Sequence, residues 1–329
     1  MPDTGQPSDA LQLPDFSAIR AAQARIAAHV HRTPVMTCRA IDALAGAQLF
    51  FKCENFQKVG AFKARGAVNA VFALREQLAA RGVVTHSSGN HGAALAYAAA
   101  RRGITAAVVM PENAARIKQD NVRGLGGTIH FCAPTAAARE ALCAKVEAQT
   151  GATLIQPYDN VDVIAGQGTA AIELLEEQPG LDVIIAPVGG GGLIAGTSIA
   201  AKALRPAIRV FGAEPAHADD ASRGFRSGHV EPVSTSVTMA DGLRSPLAPR
   251  TLAAVRANVD AIGLASESGI AHAMRLLMDR MKIVIEPSSA VALACLLERT
   301  LEAPGARIGI VLSGGNADLD ALPWHRGSA

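Results

Sequence analysis

Lys63 stands in the stretch Val59-Gly60-Ala61-Phe62-Lys63-Ala64-Arg65-Gly66-Ala67, one residue after an aromatic and three before a glycine, where a helix begins. A primary amine in such a place can form a Schiff base with an aldehyde and afterwards carry a proton. A lysine on a helix is more often a solvated charge, so this reading needs partners. Gly189, Gly190, Gly191 and Gly192 form an unbroken glycine run between an apolar stretch, 183–188, and a helical one. With no side chains in the way, their backbone amides can close on a phosphate, and a helix N-terminus adds positive potential. Glycine runs are often linkers, but linkers do not sit between a buried strand and the helix it feeds. Ser87-Ser88-Gly89-Asn90-His91-Gly92 and Ser313-Gly314-Gly315-Asn316 also follow strand-like stretches. Asn90 can donate to a phenolic oxygen, or merely hold a turn. Ser313 can meet a ring nitrogen, or merely cap a turn. An aldehyde-binding amine beside a phosphate cradle would suit a phosphorylated aldehyde such as pyridoxal phosphate, provided the fold brings the two together.

These residues need strands to bring them together. The pattern predicts strands at 47–52, 82–86, 106–110, 128–132, 153–156, 183–188, 209–213 and 308–312. Helices are expected at 17–30 (capped by Ser17), 62–75, 91–102, 114–125, 136–149, 164–177, 193–202, 266–280 and 287–297. Strands alternating with helices make an α/β protein of parallel sheets, and ligands bind such sheets beyond the carboxyl ends of the strands. Residues 1–14 carry little apolar pattern and are expected to fray.

Composition narrows the class. The 329 residues are 49% hydrophobic and 18% charged, with a formal net charge of +2. There is no basic stripe for nucleic acid and no patch for a membrane surface. No cationic start leads into an apolar run, and no apolar stretch reaches about 18 residues, so a cytoplasmic protein is expected. Five dispersed cysteines (Cys38, Cys53, Cys132, Cys143, Cys295) argue against a disulfide framework or a zinc cluster.

Taken in order, the Lys63, Ser87-to-Gly92, tetraglycine and Ser313-to-Asn316 motifs resemble those of the fold-type II pyridoxal-phosphate enzymes. The resemblance is greatest to the serine/threonine dehydratase and serine racemase family, and spans residues 17–324. It implies a tryptophan synthase β-like fold of two parallel-sheet, three-layer domains with the cofactor between them. The large domain would be residues 1–76 and 158–329, the small mobile domain residues 77–157. Lys63 would hold the cofactor, Phe62 would pack beside its ring, and Asn90 would contact the ring hydroxyl. Gly189, Gly190, Gly191 and Gly192 would hold the phosphate, and Ser313 would face the pyridine nitrogen. A neutral serine there leaves that nitrogen unprotonated, which suits prompt β-elimination. Ser87, Ser88, Gly89, Asn90 and His91 would bind the substrate α-carboxylate, with Ser88 as a second acid/base opposite Lys63. The run from Glu214 to Asp220 resembles the divalent-cation site of the racemase-like branch, with Glu214, the Ala218 carbonyl and Asp220 as ligands. Oxygen ligands suit Mg²⁺, with Ca²⁺ and Mn²⁺ as alternatives. Without the resemblance, the same acids read as a capped turn.

Further features resemble the 3-hydroxyaspartate dehydratases: Ala61 where serine/threonine dehydratases carry serine, the Ala240-Asp241-Gly242-Leu243 motif, and His86, read as packing. Arg139 falls where racemase-like members place an arginine able to meet a second carboxylate bidentately; the plain reading is a solvated helix arginine. Ser245 is a candidate for the distal group. The expected activity is a pyridoxal-phosphate ammonia-lyase acting on a β-hydroxy-α-amino acid, first of all 3-hydroxyaspartate, to give a keto acid and ammonia. The alternatives are a serine racemase, a serine/threonine dehydratase, an aryl-serine dehydratase and, in another class, a non-catalytic cofactor binder. A homodimer is expected. The chain ends soon after Asn316, so a C-terminal regulatory domain is not expected.

Overall fold

The computed structural model describes residues 11–87, 89–114, 116–233 and 237–325. The chain opens with α1 (Phe16–Ile26), β1 (Val35–Met36), α2 (Arg39–Ala45) and β2 (Gln48–Cys53), then α3 (Lys63–Ala73) and α4 (Glu76–Ala79). A second run follows: β3 (Val83–His86), α5 (Asn90–Arg102), β4 (Ala106–Pro111), α6 (Arg116–Gly124), β5 (Thr128–Cys132), α7 (Ala136–Thr150) and β6 (Thr153–Leu154). The remainder is α8 (Val161–Glu177), β7 (Val183–Pro187), α9 (Gly192–Leu204), β8 (Arg209–Pro215), α10 (Asp220–Ser227), α11 (Pro249–Asn258), β9 (Ala261–Ala265), α12 (Glu267–Met281), α13 (Pro287–Leu297) and β10 (Arg307–Leu312).

The strands form two sheets. One runs β1-β2-β10-β7-β8-β9 and the other β5-β4-β3-β6. All pairings are parallel except β1 with β2, an antiparallel edge that the alternating pattern did not predict. Both sheets are covered on both faces. In the larger one, Leu49, Phe51, Val183 and Ile185 pack with α12 and α13, while Phe50, Ile184 and Val210 pack with α8, α9 and α11. In the smaller one, Val83, Val108 and Met110 face α3 and α5, whereas Val84 and Val109 face α7. Strands apolar on every face fit this layering. Among the described residues no helix is long and apolar enough to cross a membrane.

The first helix differs from expectation. It stops at Ile26, and Asp15 caps it by accepting the Ala18 N–H at 2.8 Å, while the Ser17 hydroxyl donates to Asp15 instead. An aspartate two residues upstream is the stronger acceptor for those exposed amides. β1, α2, α4, α10, α11 and β9 were not anticipated.

Helices α3 and α8 meet backbone to backbone. A Cβ on Gly66 would lie 2.7 Å from the Val163 carbonyl oxygen, and one on Gly166 would lie 2.6 Å from that of Arg65. Glycine is the residue that permits this approach, and it seats the start of α3 against α8.

Candidate active site

The larger sheet places three of the motifs side by side. Strands β2, β10 and β7 are neighbours, and beyond their carboxyl ends lie Lys63, Ser313 and the glycine run. The smaller sheet adds Ser87, Gly89, Asn90 and His91 from the end of β3. All of these, with Phe62, line one cavity of about 400 Å³. Arg139, from the first turn of α7, and Ser245 line it as well. Ser88 lies outside the described residues.

Lys63 begins α3, and its amine donates to the Pro157 carbonyl at 2.8 Å. It lies 5.1 Å from the centroid of the Phe62 ring. Burial lowers its pKa to about 8, with the Glu286 carboxylate pulling the other way. Desolvation disfavours an ammonium, so the free amine is accessible near neutral pH.

Two residues on, Arg65 is wholly buried and anchors this helix start. Its guanidinium donates to Glu54 at 2.7 and 2.8 Å and to Glu173 at 2.7 and 2.8 Å. Lys52 from β2 completes the group, reaching Glu173 at 2.6 Å and the Thr33 carbonyl at 2.7 Å. Burial opposes the Arg65 charge, but the two carboxylates overcome it and raise its pKa.

The glycine run fits a phosphate cradle. Gly191 has φ +86° and caps α9, whose free amides face the cavity end. A Cβ on Gly190 would lie 2.3 Å from the Tyr158 ring, so the loop and this tyrosine are packed in contact. The Gly190 carbonyl is occupied by the Thr251 hydroxyl at 2.9 Å.

Asn90 is oriented from two sides. Its Nδ2 donates between the two Glu286 carboxylate oxygens, 3.0 Å from each, and its Oδ1 accepts from Asn316 Nδ2 at 2.9 Å. Asn90 also lines the cavity, so its amide is positioned at the cavity wall. Glu286 precedes α13 and is buried; desolvation raises its pKa to about 7, while Asn90 lowers it and Asp241 raises it further. The His91 Nε2 lies 3.1 Å from the Ile155 carbonyl, which can only accept, so this nitrogen carries the proton. Burial, and then the nearby Lys63 charge, lower the His91 pKa to about 3, so the ring is neutral. Ser313 Oγ is 3.1 Å from Ser289 Oγ. Ser289 spends its only proton on the Gly314 carbonyl at 2.6 Å, so the Ser313 proton is the one free to turn. The residues present therefore fit pyridoxal phosphate: an amine, an amide cradle, an oriented donor and a neutral hydroxyl converge.

Glu286, Tyr158, Lys118 and Asp241 also line the cavity, and sequence reasoning gave them no role. Glu286 reads locally as the residue before a helix-opening proline. Tyr158 stands in an irregular stretch. Asp241 was visible only as part of a motif.

Glu214, Ala218 and Asp220 lie away from the cavity. Glu214 ends β8 and its carboxylate accepts the Ala221 and Ser222 amides, each at 2.8 Å. Asp220 is 2% exposed, and neither of its carboxylate oxygens has a partner. Burial pushes the Glu214 pKa up to about 9 and that of Asp220 up to about 7. Among the described residues, no group of three or more His, Cys, Asp and Glu could hold a metal ion.

Comparison with known proteins places this arrangement. Residues 26–314 match the family described as pyridoxal-phosphate dependent enzyme. The chain is 49% identical to the β-hydroxyaspartate dehydratase of Paracoccus denitrificans (strain Pd 1222) over 315 residues, 96% of this chain and all of that protein. It is 48% identical to the serine racemase of Oryza sativa subsp. indica over 316 residues, 94% of this chain and 93% of that one. The crystal structure of serine racemase from Dictyostelium discoideum superposes with a TM-score of 0.89 at 47% identity, covering 93% of this chain and 99% of that one. The chain belongs to the pyridoxal-phosphate-dependent enzymes.

Proposed function

From that membership we propose that the protein is an ammonia-lyase that converts 3-hydroxyaspartate to oxaloacetate and ammonia. The observation that carries this reading is that Lys63 and Arg139 line the same cavity. Pyridoxal phosphate, when bound, supplies the electron sink that makes the substrate's α-hydrogen acidic. Gly189, Gly190, Gly191 and Gly192 would hold its phosphate, Asn90 its ring oxygen and Ser313 its ring nitrogen. Lys63, with its lowered pKa, would take the α-proton and can return it to the leaving β-hydroxyl. The backbone at Ser87, Gly89 and His91 would receive the α-carboxylate. Arg139 and Ser245 would receive the distal group. Residues 77–157 would act as the small domain that closes on the substrate and excludes water. Ser88 is proposed, from the family resemblance, as the second acid/base.

A divalent cation belongs to the proposal. The fit rests on Asp220, a buried carboxylate with both oxygens unsatisfied, beside the buried Glu214. These two and the Ala218 carbonyl would hold Mg²⁺, Ca²⁺ or Mn²⁺, which would neutralise acids that are otherwise costly to bury. Its part would be structural, since it lies off the cavity. A homodimer is proposed on the family resemblance, and the cytoplasm is the compartment proposed for it by default.

Serine racemisation is the second reading, supported by relatives of nearly equal identity. One assay separates them: keto-acid release by the purified holoenzyme from threo- and erythro-3-hydroxyaspartate, L-serine, L-threonine and phenylserine. A hydroxyaspartate isomer is expected to lead. Arg139→Ala should then raise its KM about tenfold or more, as for losing one charge-assisted pair. Unchanged activity in that variant, or preference for a neutral substrate, would sink the dicarboxylate reading.

A further inference from the structure

An ion pair crosses the cavity. Lys118, on α6, comes from the side of the smaller sheet. Asp241, in the turn Asp241–Leu243, comes from the side of the larger one. Both line the cavity, and their side chains keep 23% and 40% of their exposure. The Lys118 amine lies 4.0 Å from the place a Cβ would take on Gly89, so it stands beside the loop at the end of β3. Asp241 is fixed to the other wall. A Cβ on Gly189 would lie 3.1 Å from the Gly242 carbonyl oxygen, and the Gly242 amide donates to Ser288 at 3.1 Å. The pair thus spans the space between the two ligand-facing loops.

We propose that Lys118 is a second specificity-determining cation, which Asp241 holds until the distal carboxylate of a dicarboxylate substrate takes its place. This rests on the dicarboxylate reading above and deepens it. The charges in the cavity motivate it. Besides Lys63, the cations lining the cavity are Lys118, Arg139 and Arg244, and Arg244 is turned to the Thr238 carbonyl at 3.2 Å. The carboxylate on Lys118 is a solvent-touched one, and pairs exposed to this degree are weak. Exchanging one carboxylate for another on the same ammonium preserves the charge pairing. A neutral serine or threonine side chain brings nothing to exchange and leaves the pair closed. The two partners therefore act with opposite sign: Lys118 attracts the second carboxylate and Asp241 competes with it.

The test uses succinate, the carbon skeleton of the substrate with both carboxylates, and butyrate, which lacks one. Each is measured as an inhibitor of the holoenzyme turning over whichever hydroxy amino acid it accepts. The readout is the ratio of their inhibition constants in wild type, Asp241→Asn, Lys118→Met and the double variant. Asp241→Asn should shift the ratio about tenfold toward succinate, and Lys118→Met about tenfold away from it. In the double variant the gain from Asp241→Asn should vanish. If both single variants weaken succinate alike, the pair is a strut that holds the walls together and the proposal fails. It fails equally if the gain survives without Lys118, since Asp241 would then act by general repulsion. Failure of 3-hydroxyaspartate as a substrate would appear separately, in wild-type turnover, while the inhibitor ratio still reports on Lys118.

Discussion

Lys63 is the residue on which the proposed chemistry turns, and its environment sets the pH at which it would work. Burial lowers its pKa to about 8. The sign follows from the charge: a lowered lysine pKa means the free base predominates above about 8, not above 10.5. Covalent uptake of pyridoxal phosphate by cofactor-stripped protein should therefore speed up as pH rises toward 8 and level off beyond it. Stopped-flow absorbance would show this, and a rate still climbing at pH 10 would mean that Lys63 is solvated. Lys63→Ala should lower kcat by on the order of a thousandfold, the scale of losing a positioned acid/base. Glu286 shows how far residue-level reading reaches. As a glutamate before Pro287 it looks like a helix start, yet its carboxylate holds Asn90 in a single orientation.

At the scale of elements, α3 is held to β2 and α8 by buried charge. Arg65 pairs with Glu54 and Glu173, and Lys52 of β2 shares Glu173. All four side chains are nearly without solvent, so removing one partner strands the others. Arg65→Met should lower the unfolding free energy in urea by about 3–5 kcal/mol, the usual cost of breaking a buried pair from one side. A loss below about 1 kcal/mol would mean that the network does not hold the helix. Close packing acts alongside it: Gly66 and Gly166 let α3 and α8 touch, and Gly190 lies against the Tyr158 ring. Between them these contacts help place Lys63 and the glycine run in one cavity.

At the scale of the whole molecule, the two sheets supply different parts of the cavity lining, and α10 carries Asp220, the buried carboxylate proposed to hold an ion. Asp220 is buried with no partner for either oxygen, so a bound cation should stabilise the fold. Treatment with a chelator is expected to lower the Tm by at least about 2 °C in wild type and to leave Asp220→Asn unmoved. Equal Tm values with and without chelator in wild type would remove the metal from the account.

The sequence alone determined what depends on local order. The glycine run, Asn90 and Ser313 could be singled out because each follows a strand end, where the residue type is dictated by what a backbone turn can present, and Lys63 because it opens a helix just after an aromatic. The long helices and the fully apolar strands were legible for the same reason, since their periodicity is a property of consecutive residues. β9 was not: Ala261-Ile262-Gly263-Leu264-Ala265 is a short apolar stretch with a glycine at its centre, and it pairs along β8. Nor was the pairing of Lys118 with Asp241, which are 123 residues apart. Burial and proximity between distant segments arise only when the sheets assemble, and they decide the Lys63 pKa, the Asn90 orientation and the charges that face a substrate.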